Sequence, residues 1–89
     1  MNQIFHAAVA FGANLSDRVK PEEIEVALEY FQHGEGGVAI ELLIGYIVEA
    51  DATISEAELS EALRLAEAVN VKVGSKTLAY IKKNMSRTY

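Results

Sequence analysis

The residues best equipped for chemistry in this 89-residue chain are two histidines, His6 and His33, with Glu35 close behind the second. An imidazole with a carboxylate to orient it is what an acid–base dyad needs. His33, however, ends an apolar helical run, and the helix dipole favours a histidine there with no catalytic task. Neither histidine belongs to a His-Glu-x-x-His or comparable metal-binding spacing. The chain has no cysteine, which removes thiol catalysis, thiolate metal sites and disulfides. Gly34-Glu35-Gly36-Gly37 has the glycines of a phosphate cradle, but it carries an acid and lacks a following Lys-Ser/Thr. Residues 49–59 are the last candidate, as part of a calcium loop. If Glu58 is placed as the bidentate twelfth ligand, the first position falls on Ile47, which has no side-chain oxygen, and the turn glycine is replaced by Ala52. The expectation is no enzyme, no cofactor and no metal site.

Charge is sorted along the chain. Residues 22–67 hold twelve Asp/Glu against Arg64 alone, a local net charge of −11, whereas residues 68–89 hold five Lys/Arg and no acid. Sorting of this kind bears on partners and association rather than on fold. The acidic middle repels nucleic acid and attracts a basic surface. The basic end (Lys72, Lys76, Lys82, Lys83 and Arg87) has only Tyr80 and Tyr89 interleaved, and the acidic surface beside it cancels part of any gain from phosphate contacts. Cations late in a helix also simply complement its C-terminal dipole, which accounts for Lys82, Lys83 and Arg87. No direct binding of nucleic acid is expected.

The elements that would position these groups are helical throughout. With 51 % hydrophobic residues the chain has enough for a core, and its length suits one domain over residues 1–89. Ile4, Phe5, Ala8, Phe11 and Leu15 recur at helical steps and predict a first amphipathic helix. Residues 17–20 break it. Pro21 then opens a second helix, with Glu22 and Glu23 in the first turn and Ile24, Ala27, Leu28 and Phe31 on its buried face. Gly34 supplies a left-handed stop. The third helix, over residues 37–50, is apolar nearly all round and belongs at the centre, with Glu41, Gly45 and Glu49 as its exposed stripe. Ser55 and Glu58 form a capping box, flanked by Ile54 and Leu59 as a hydrophobic staple. The core stripe of this fourth helix is Leu59, Ala62, Leu63, Ala66 and Val69. Residues 70–74 interrupt, Val71-Lys72-Val73 being too short to build a sheet, and Ser75 is placed to cap a last helix bearing Leu78, Ile81 and Met85. The fold class is therefore all-α, a compact bundle of about five short helices. Residues 36–48, the longest nearly uncharged apolar stretch, are too short to span a bilayer. Residues 1–6 lack the basic start and cleavage site of a signal peptide. With no cysteine, the expected location is cytoplasmic, with no membrane partner.

The run Ala27-Leu28-Glu29-Tyr30-Phe31-Gln32-His33-Gly34-Glu35-Gly36-Gly37-Val38-Ala39-Ile40-Glu41-Leu42-Leu43 resembles the helix–His-Gly-Glu–helix core of MafI-type bacterial immunity proteins. Ile54-Ser55 and, further on, Leu63-Arg64-Leu65-Ala66-Glu67 continue the pattern, so the resemblance covers residues 24–70. It implies a small, cytoplasmic, non-enzymatic protein that binds and neutralises a cognate toxin domain in polymorphic-toxin and contact-dependent growth-inhibition systems. Toxins of such systems are often nucleases, EndoU-like RNases among them. On this reading His33, Gly34 and Glu35 shape the turn between two helices rather than touch the toxin.

Immunity surfaces differ between cognate pairs, so the contact residues must come from charge and helical phase. Glu22, Glu25 and Glu29 share the outer stripe of the second helix, Glu41 and Glu49 mark the third, and Asp51 follows it. These six are the candidate toxin-binding residues, meeting a basic partner whose association their charge would accelerate. The competing reading is an acidic helical adaptor or regulatory module for another basic protein partner.

Overall fold

The computed structural model of the chain describes residues 2–86. Five helices occupy them: α1 (Asn2–Asn14), α2 (Pro21–Gln32), α3 (Gly36–Glu49), α4 (Glu56–Ala68) and α5 (Ser75–Ser86). The all-α reading holds, with Val71-Lys72-Val73 in an irregular connection. No helix among the described residues is long and apolar enough to cross a membrane. The radius of gyration, 12.1 Å, matches the value of about 12 Å for a compact chain of this length.

The ends of the helices show why the chain divides where it does. Pro21 starts α2 after Lys20, which makes no side-chain cap, and Glu22 and Glu23 fill the first turn. Three helices then stop in one way. Gly34, Asp51 and Asn70 follow α2, α3 and α4 with φ of 83°, 51° and 61°. The next amide in each case reaches back five residues: Glu35 to the Tyr30 carbonyl (2.9 Å), Ala52 to Ile47 (3.0 Å) and Val71 to Ala66 (2.8 Å). This is the left-handed stop with its six-to-one hydrogen bond. Glycine adopts that conformation freely, and Asn and Asp are the side chains that tolerate it best.

The capping box at α4 is complete: the Glu58 amide donates to Ser55 Oγ (3.0 Å) and the Ser55 amide to Glu58 Oε1 (2.9 Å). At α5 the expected cap is displaced by one residue. Ser75 is already helical, and the carbonyl of Gly74 accepts the Leu78 amide at 3.0 Å. Arg87, counted among the cations that complement this helix end, lies outside the described residues.

α3 lies at the centre, burying Ala39, Ile40, Leu43, Ile44 and Ile47. Around it close Ala8 and Phe11 of α1, Leu15 and Val19 after it, Ile24 and Ala27 of α2, Leu59, Ala62, Leu65 and Ala66 of α4, and Ile81 of α5. Leu65 is among the largest wholly buried side chains, although the expected stripe of the fourth helix passed it by. α1 and α2 touch closely enough that a Cβ on Gly12 would stand 2.7 Å from Ile24 Cγ2.

One polar clamp ties the α1–α2 connection to α4. Arg18 donates to both Glu58 oxygens (2.8 and 2.7 Å), to the Thr53 and Asn14 carbonyls and to Asp17, so every guanidinium N–H has an acceptor. Glu58 thus serves its own helix cap and a distant loop together. The Arg18 hydrogen bonds, opposed by some burial, hold its carboxyl down at about 2.

Candidate partner-binding face

The described residues contain no group of three or more His, Asp or Glu able to hold a metal ion. His33 Nδ1 donates to the Glu29 carbonyl within its own helix, at 2.8 Å; a carbonyl cannot donate, so this nitrogen must carry the hydrogen. The ring therefore closes off the end of α2 rather than orienting toward Glu35. His6 is exposed beside its neighbour Phe5. Asp51, in the stretch compared above with a calcium loop, is committed to backbone and packing: it ends α3 in the left-handed region, and the Tyr80 hydroxyl of α5 donates to its carboxylate.

The six candidate carboxylates lie on α2 and α3 and just after α3. Phe31 lies against Gly36 at the shared turn, and Glu23 lies near Tyr46 at the far end, so the two helices run antiparallel. Glu22, Glu25 and Glu29 are all exposed on α2, as their spacing predicts. Glu41 and Glu49 are exposed on α3, but they face different neighbours. Glu49 joins Glu23 around Tyr46, whose hydroxyl is pushed up first by burial and then by those two carboxylates and Tyr30. Glu41 faces the other way, lining a small cleft with Lys72 and Thr77. Asp51 is likewise turned to α5 through Tyr80. The structure groups Glu22, Glu25 and Glu29 on α2, brings Glu49 to Glu23, and leaves Glu41 and Asp51 on the α5 side.

Apolar residues that the charge pattern did not single out share this surface. Val26 and Tyr30 are 44 % and 43 % exposed on α2, and Val38 is 37 % exposed on α3. All three lie off the buried stripe of Ile24, Ala27, Ile40 and Leu43. That offset was available as a signal in the helical phase: an aromatic and two valines stand where solvation alone would place polar residues. Gly36 and Gly37 bring the start of α3 against the end of α4, where a Cβ on Gly36 would stand 3.2 Å from Val69.

The fold is all-α over the described residues, and the outside of α2 joins exposed carboxylates to the exposed Val26 and Tyr30. Comparison of the chain with protein-family models, with curated proteins and with solved structures finds no match.

Proposed function

We propose that this protein is an inhibitor acting by stoichiometric binding, an immunity protein that neutralises a cognate, basic bacterial toxin domain of nuclease type. The observation that carries this reading is the outer face of α2. There Glu22, Glu25 and Glu29 line one side of Val26 and Tyr30, which the fold leaves nearly half exposed. Desolvated aliphatic and aromatic anchors within a charged rim are the anatomy of a protein interface. The carboxylates steer a basic partner toward it, and the apolar centre holds it.

The test begins with the C-terminal domain of the protein encoded by the gene immediately upstream, expressed with and without this protein. Growth arrest relieved by co-expression, with a 1:1 complex in size exclusion, is the expected result. Reversing charge at Glu25, Glu29 and Glu49 to lysine should slow association by about 10-fold or more and flatten its salt dependence, with helicity retained. Unchanged association kinetics would remove α2 as the contact face. Toxicity that this protein does not relieve would favour the adaptor reading.

A further inference from the structure

Charge is sorted between the helices as well as along the chain. α2 carries four carboxylates (Glu22, Glu23, Glu25 and Glu29) and no cation, whereas residues 69–86 carry four lysines and no acid. The outer stripes of α2 and α5 share one pattern. Glu22, Val26 and Glu29 stand at i, i+4 and i+7 on α2, and Lys76, Tyr80 and Lys83 have the same spacing on α5. All six are exposed, Val26 to 44 % and Tyr80 to 38 %. Each stripe therefore sets two like charges about 10 Å apart along its helix, with an apolar side chain between them. Asp51 on Tyr80, Glu41 beside Lys72 and Glu56 beside Lys82 offset part of the basic charge, but the α5 stripe itself holds no acid.

We propose that the α2 stripe of one molecule docks on the α5 stripe of a second copy, with Glu22 and Glu29 opposite Lys76 and Lys83 and Val26 against the Tyr80 ring. The matched spacing lets both charge pairs and the apolar contact form together. The pattern reads the same from either end, so it fits with the two helices parallel or antiparallel. Within α2 the acids at i, i+3 and i+7 repel one another, and facing lysines relieve that repulsion. Glu22, Glu29 and Lys76 enter no ion pair among the described residues. α2 and α5 each pack on α3 and present separate surfaces, so the contact is head-to-tail and leaves one stripe open at each end. Exposed ion pairs and a net charge of −5 keep the association weak. On the reading of α2 as the toxin-binding face, a toxin displaces the neighbouring copy.

The test needs no toxin. Sedimentation equilibrium of the full chain at low salt, with a screening length of ~20 Å, should show an average mass that rises with concentration toward ~1 mM. Salt at about 0.5 M should return it to a single chain. In ¹⁵N spectra of the native protein, dilution should shift the amides of residues 22–30 and 76–83 together. Glu22→Lys with Glu29→Lys makes both stripes basic, and Lys76→Glu with Lys83→Glu makes both acidic. Each reversal moves the native net charge of −5 by two, so the double variants carry −1 and −9. Each alone should self-associate about 10-fold more weakly with helicity retained. Their equimolar mixture should regain the native association, although both proteins are negatively charged. A native chain that stays monomeric at the highest concentration, shifts in one stripe only, or a mixture no better than its components would overturn the assignment. Because no toxin enters these measurements, they are decided separately from the co-expression experiment.

Discussion

Replacing Arg18 with methionine should cost this protein a large fraction of its stability, and the loss should depend on pH. Arg18 grips both oxygens of Glu58 at 2.7–2.8 Å, with the two side chains 27 % and 17 % exposed. Arg18 first, and the Ser55 hydrogen bonds with it, lower the Glu58 carboxyl from 4.5 to about 2 against the effect of burial. A carboxyl that is more acidic when folded stabilises the native state above its unfolded pKa. That stabilisation fades as pH falls from about 4.5 toward 2. The full shift corresponds to about 3 kcal/mol at pH 7, and partial exposure together with the Ser55 hydrogen bonds that remain brings the expected loss to roughly 2 kcal/mol. A domain of this size has ~4–13 kcal/mol in total. Urea unfolding followed by circular dichroism should show the midpoint falling by about 2 M at pH 7, with the two proteins converging near pH 2. Glu58→Gln keeps a capping side chain but loses the charge, so the double variant should be little worse than either single one. A midpoint difference that is the same at pH 7 and pH 2, or fully additive losses in the double variant, would refute the assignment of this stability to the Arg18–Glu58 pair.

Leu65→Ala should lower stability by about 2–5 kcal/mol, because the side chain is wholly buried; chemical denaturation measures it, and a loss below 1 kcal/mol would contradict its place in the core. Ser55→Ala removes one half of the α4 capping box and should cost about 1 kcal/mol, read as a lower thermal midpoint with unchanged helicity at 10 °C. Gly34→Ala forces a side chain into φ of 83° and should cost about 1–2 kcal/mol, even though a Cβ there meets no atom within 4 Å; a neutral result would mean that the turn relaxes out of the left-handed region.

Much of this architecture was legible from local pattern. Each helix announces itself by a 3.6-residue apolar repeat, and the strongest boundaries are chemical: Pro21 at a first turn, Ser55 with Glu58 in a cap, Gly34 at a stop. Such signals lie within a few residues of one another, so one stretch of sequence contains both partners. The central position of α3 followed for the same reason, since a helix apolar on nearly every side has nowhere else to go. The exposure of Glu22, Glu25 and Glu29 came from helical phase alone.

What local pattern could not decide is which side of a helix meets which neighbour. Leu63 and Leu65 are two positions apart, some 200° around α4, and only the approach of α1 and α3 makes Leu65 the more buried. Asp51 and Asn70 read as polar loop residues until their positive φ shows them ending helices in place of glycine. Arg18 and Glu58 are forty positions apart, and only the fold sets the cation of one connection beside the cap of a distant helix. The six candidate carboxylates share one charge, but packing divides them, with Glu41 and Asp51 drawn toward α5 and Glu49 toward Glu23. Periodicity and capping chemistry are properties of neighbours in the chain and determined the helices and the sign of the surface. Pairing across the bundle depends on how helices rotate to bury their faces together, and that rotation alone decided the clamp, the cleft and the grouping of the acids.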